Sequence, residues 1–127
     1  MARLALRRTG RRPLQFDGRV LHRDVWQFGG GGFVLGLHDA RQAGLVCEAA
    51  CMPGMALTTG LGLWPWFAAE PVADMDSAMS CFEAMRPDTA GGADAALLRR
   101  LAAGAALSAG FAQAVGAFLL RLECDCG

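Results

Sequence analysis

The feature that most constrains this chain is a change in apolar periodicity near Pro71. Before it, hydrophobic residues alternate with their neighbours in short runs; after it, they recur every three to four residues. Period two sends successive side chains to opposite faces of a strand, and a period near 3.6 gathers them on one face of a helix. The expectation is an α+β domain, a mainly antiparallel β-meander in the first half packed by one short and one long C-terminal helix. Residues 1–127 suit a single domain, strand-rich over 1–70 and helical over 74–123, and a 54% hydrophobic content can build its core without staples.

Local signals place the elements. Leu4 and Leu6 alternate with their neighbours, and Asp17-Gly18 lies between Pro13-Leu14-Gln15-Phe16 and Arg19-Val20-Leu21. That pattern predicts a two-residue hairpin pairing Leu14 with Leu21. Val25-Trp26-Gln27-Phe28 leads into Gly29 to Gly32, after which Phe33, Leu35 and Leu37 share a face; beyond a turn at 39–44, Leu45, Cys47, Ala49 and Cys51 share another. Between Pro53 and Pro71 the pattern is broken by Gly54, Gly60 and Gly62. Pro65 restricts Leu63-Trp64-Pro65-Trp66-Phe67 to an edge strand or an ordered loop. Asp74 or Asp76 caps a helix carrying Met75, Met79, Phe82 and Met85, which Arg86-Pro87 ends. After a linker at 89–93, Asp94 caps the long helix, whose apolar stripe is Leu97, Leu101, Ser108, Phe111, Val115, Phe118 and Leu122.

The composition excludes several chemistries. The chain has no Lys, Asn, Ile or Tyr, so it has no Schiff-base lysine, no phosphate-loop lysine and no phenolic acid or base. All four are specified by AU-rich codons, and the same coding bias accounts for a basic set made of twelve Arg. The glycine run leads into a strand, so no helix N-terminus is expected to face a phosphate there. Ser77, Ser80 and Ser108 all fall in helices without a neighbouring base, which leaves Cys81 with His38 as a formal nucleophile–base pair. Cys47 and Cys51 would stand about 13 Å apart on an extended strand, and with Cys124-Asp125-Cys126 and either His22 or His38 they do not repeat the spacing of common zinc units. No catalytic residue, metal, cofactor or small-molecule substrate is expected. An odd set of five cysteines in a chain of this size reads as cytoplasmic thiols, not a disulfide framework.

Contact surface is the better-represented resource. Trp64, Trp66 and Phe67 cluster around a proline and make candidate interface anchors. Leu98, Leu107 and Leu119 lie off the helical stripe as surplus apolar surface. The expected function is therefore a non-enzymatic interaction or regulatory module that binds another protein or itself, in the simplest case as a two-fold homodimer. Nucleic-acid binding is the alternative, through Arg7, Arg8, Arg11 and Arg12 with Trp26 or Phe16 to stack. Alternation weakens it, because neighbouring arginines on a strand point to opposite faces. Residues 1–23 carry seven Arg against Asp17, and residues 70–94 six acids against Arg86, so the two segments can also pair with each other. Membrane association ranks third: Leu101 to Leu120 is uncharged over spanning length, but its Ala and Gly content reads as a buried soluble helix.

Overall fold

A computed structural model of the chain describes residues 2–28, 31–54, 65–87 and 97–126, with no account of the side chains at 28, 42, 97–104, 125 and 126. Five strands, β1 (Ala2–Arg8), β2 (Arg11–Phe28), β3 (Gly31–Asp39), β4 (Leu45–Pro53) and β5 (Trp66–Val72), precede two helices, α1 (Met75–Ala84) and α2 (Leu97–Cys126). The strands pair antiparallel in chain order as a curled meander, and the α+β expectation holds. The linker at 89–93 and the Asp94 cap lie outside the described residues.

One local expectation is overturned. Asp17-Gly18 is not a hairpin turn, for β2 runs through it as an 18-residue strand. Its first half pairs with β1, from Arg8↔Arg11 to Ala2↔Gly18, and its second half pairs with β3, from Arg19↔Asp39 to Phe28↔Gly31. Leu14 therefore faces Leu6, not Leu21, and the turn falls at Thr9–Gly10, where Gly10 has φ +73°. Gly18 serves a different purpose here. It is buried where β2 passes close to the end of β3, and a Cβ there would run into the Asp39 carbonyl and the Phe16 ring. Glycine in a strand marks such close backbone approaches as readily as a turn.

A bulge follows the crossing point. Val20 pairs with His38 and His22 with Leu37, so Leu21 is an extra residue that reverses the alternation. Leu14, Phe16, Gly18 and Val20 share the inner face of the curl, and beyond the bulge Arg23, Val25 and Gln27 take it over. His22, Asp24 and Trp26 turn to the helices.

The sheet thus buries both faces at its centre, and every residue of β3 from Phe33 to His38 is buried. On the helix side Phe33, Leu35, Leu37, Cys47, Ala49 and Cys51 meet Ala78, Phe82, Phe111, Phe118 and Leu122. Phe118 joins Trp26 and Phe82 in edge contacts, with ring centroids 6.2 and 5.2 Å apart, and removing its ring would cost about 3–5 kcal/mol. On the inner side Phe16, Ala40, Val46 and Ala69 form a smaller core under Leu4, Leu6 and Leu14. The β1–β2 hairpin is fastened across β5: Thr9 N–H donates to Phe67 O at 2.9 Å, Phe67 N–H donates to Thr9 Oγ1 at 2.8 Å, and Arg11 pairs with Glu70 at 2.5 Å.

α1 forms where its cap and stripe place it. Asp74 Oδ1 accepts from Ser77 N–H at 2.8 Å and starts α1, and Met85 leaves it in an extended conformation two residues before Pro87. The buried face of α2 is Leu107, Phe111, Ala114, Val115, Phe118 and Leu122. Among the described residues the stretch from Ala105 to Cys124 is long and apolar enough to cross a bilayer, yet this face lies against the sheet. Arg121 holds the outer turn of α2 to Asp24 of β2.

Gly18→Ala should cost about 1–3 kcal/mol in chemical denaturation, because the Asp39 backbone must give way. Asp17→Ala, exposed beside it, should stay within about 0.5 kcal/mol of wild type. Equal stability of the two variants would remove the close approach as the reason for this glycine.

Candidate interaction surface

The polar groups of the inner face are arranged by strand register. Arg23 on β2 and Glu48 on β4 both stand opposite Gly36 of β3. Because Gly36 has no side chain, the two flanking residues reach each other across it, Arg23 Nε at 3.5 Å from Glu48 Oε1. A Cβ at Gly36 would come within 2.6 Å of that oxygen. His38, two residues further along the same face, places Nε2 at 2.9 Å from the same Glu48 oxygen and its ring edge-on to Phe16. Its Nδ1 is buried with no hydrogen-bond partner among the described residues. Burial pushes the Glu48 carboxyl up, but the His38 hydrogen bond and the Arg23 charge outweigh it and leave the group below its ordinary 4.5.

Beside this row a cavity of about 230 Å³ opens between β1 and the floor of the curl, lined by Leu6, Arg7, Arg23, Glu48, Met52 and Phe67 among others. The Arg7 guanidinium lies over the Phe67 ring, 5.5 Å from its centroid.

The thiols lie on the opposite side. Cys47 Sγ is 3.7 Å from Ala78 O, and it shares a hydrogen bond with Cys81 one turn further along α1. Burial pushes the Cys47 thiol far up, Cys51 up to about 11, and Cys81 up less, with Glu70 adding to Cys47 and Cys81. Thiols held protonated in this way are weak nucleophiles at neutral pH. The formal Cys81–His38 pair is also split by the sheet, since His38 faces the inner core and Cys81 packs on the helix side. Among the described residues no three His, Cys, Asp or Glu side chains converge on a point where a metal could sit.

A third feature is a length of strand edge. β1 covers β2 only as far as Gly18, so from Arg19 onward the side of β2 away from β3 has no strand against it among the described residues. Alternate N–H and C=O groups of an edge strand point outward without a partner. Three apolar side chains are exposed along this edge, Val20 at 49%, Leu21 at 37% and Val25 at 57%. Known protein families, curated proteins and solved structures offer no match to this chain.

The residues singled out from sequence are scattered by the fold. Leu107, expected on a contact surface, is 2% exposed and packs over Gly31; it stands four residues before Phe111 and so belongs to the same buried stripe. Leu119 is partly buried against the main core, and Trp66 packs on Phe111 at 5.6 Å, so neither forms a free anchor. Phe67 turns the other way, under Arg7. Trp64 and the side chain of Leu98 lie outside the described residues. Of the four N-terminal arginines, Arg7 covers an aromatic ring, Arg8 donates to Arg12 O at 2.7 Å and Arg11 pairs with Glu70. The sequence reading missed the Arg23–Glu48–His38 row and the β2 edge. Gly36 inside an apolar run was the available signal for the first, while the second depends on where β1 stops.

The Glu48 shift has a definite sign. A carboxyl that binds its proton less readily when folded contributes stability above about pH 4.5 and loses it as pH falls through its lower folded value. Denaturation of wild type and Glu48→Gln across pH 3–7 should show a gap that is widest near neutrality and narrows on the acid side. A gap independent of pH would remove the row as a source of acid sensitivity.

Proposed function

We propose that the protein is a non-enzymatic interaction module that takes a partner's extended strand onto the outer edge of β2. The observation that carries this reading is the side of β2 away from β3 between Arg19 and Phe28, which has no strand against it among the described residues and along which Val20, Leu21 and Val25 are exposed. Strand addition draws affinity from main-chain hydrogen bonds that such an edge already offers, and specificity from alternate side chains. The protonated thiols and the separation of His38 from Cys81 support a binding role over catalysis. The nucleic-acid alternative has less support, because Arg3, Arg11, Arg19, Arg23 and Arg121 each sit on a carboxylate and those charges are partly spent within the chain.

Backbone amide exchange tests the proposal. With a panel of ten-residue peptides of alternating apolar and polar residues, at least one member should slow exchange within residues 19–28 while leaving β4 unchanged. Arg7, Arg8, Arg11 and Arg12 all replaced by Gln should not alter that protection. A panel that leaves exchange of β2 untouched would sink the reading.

A further inference from the structure

Resting on that reading, we infer that the strand received by β2 is β2 of a second copy of this chain, paired antiparallel about a two-fold axis through Val25. Three observations bear on that choice of axis. The first is length. The Leu21 bulge interrupts the strand on one side and the strand ends at Phe28 on the other, so the regular stretch is residues 22–28 and its midpoint is Val25. Two such stretches laid antiparallel overlap fully only when centred there.

The second is charge. A two-fold axis perpendicular to the sheet keeps inner face with inner face, so residues of one face stand opposite residues of the same face, and each possible centre is a single residue. Centring on Arg23 would oppose two guanidiniums, and centring on Asp24 two carboxylates. Like charges directly across a strand pair destabilise it. Centring on Val25 sets Val25 against its own copy, Arg23 against Gln27 of the other copy, and Asp24 against Trp26 of the other copy, with no like charges opposed.

The third is exposure. Among the described large apolar side chains of the sheet Val25 is the most exposed, at 57%, although β3 pairs beside it through Val34. A symmetric contact covers that side chain in both copies at once and sets a strand against the side of β2 that has none among the described residues. The result is one continuous sheet through two chains, with α2 of each copy on the same side.

Sedimentation of the full chain at rising concentration should show a species of twice the mass of one chain. Val25→Lys should raise the dissociation constant at least about tenfold without lowering the melting temperature measured at a concentration where wild type is itself monomeric, since the site is exposed within one chain. In a background with Cys124 and Cys126 both replaced by Ser, Val25→Cys should cross-link copy to copy under mild oxidation, because directly opposed Cβ atoms lie within disulfide reach. Gln27→Cys should not, since its own copy stands four residues along the partner strand. A dimer that cross-links through Gln27→Cys and not through Val25→Cys overturns the register and the inference. A chain that stays monomeric overturns the second copy. If that monomer still gains protection over residues 19–28 from the peptide panel, strand addition at the β2 edge stands without it; if it gains none, both fail.

Discussion

The fold depends on one strand serving two layers. β2 pairs with β1 on one side until Gly18 and with β3 on the other from Arg19, and the exchange is possible because nothing projects from Gly18 toward the Asp39 carbonyl. From this exchange come the two cores, since the hairpin can lie across the inner face while the helices cover the outer one. The free edge has the same origin. A β1 that followed β2 along its whole length would cover the edge but could not fold over β5, where Thr9 and Arg11 now fasten it.

Burial on both faces raises a problem that the inner row resolves. Glu48 and His38 sit in a region of apolar neighbours, where an unpaired charge or imidazole would be costly. Register alone brings them together with Arg23, because all three stand over or beside Gly36. A charged carboxylate with two partners in a confined space can be worth little net stability compared with a well-packed apolar set. What it contributes is specificity. A one-residue slip of β2 or β4 would carry Arg23 or Glu48 to the helix side, among Leu35, Leu37 and Phe118, with no partner there. The row therefore penalises misregistered sheets in a chain whose small residues, Ala49, Ala50, Ala68 and Ala69, discriminate poorly between registers.

How much of this could be read from the sequence divides along physical lines. The residues that face the helix core were legible: Phe33, Leu35 and Leu37 on β3, Cys47, Ala49 and Cys51 on β4, and Phe111, Val115, Phe118 and Leu122 of the α2 stripe. Alternation and helical spacing report that kind of burial directly. Asp17-Gly18 misled because the same dipeptide suits a tight turn and a close strand crossing, and only the position of Asp39 decides between them. Leu107 was assigned to the surface although its spacing to Phe111 puts it on the stripe. The Leu21 bulge was not legible, since an inserted residue looks like ordinary alternation until the partner strand is known. The proposed interaction surface was obscured for the same reason: Val25 reads as one half of an alternating strand, and its exposure follows from having no strand on its outer side among the described residues, which no local pattern records.

An exposed edge of this length is usually a hazard, because it offers the same hydrogen bonds to any unfolded strand as to a proper partner. β2 carries the protections expected of a managed edge. Arg19 and Arg23 place charge on it, the Leu21 bulge shortens the regular stretch, and Asp24 is held back by Arg121 of α2. These devices disfavour indiscriminate pairing, since an arbitrary strand laid along 22–28 must find a register that avoids Arg23 and Asp24. They do not disfavour a strand whose own charges fall in complementary places. On the proposed reading, aggregation resistance and partner selection on this edge arise from the same few side chains, and the apolar residue left between them, Val25, is the position at which a correctly registered partner would gain most.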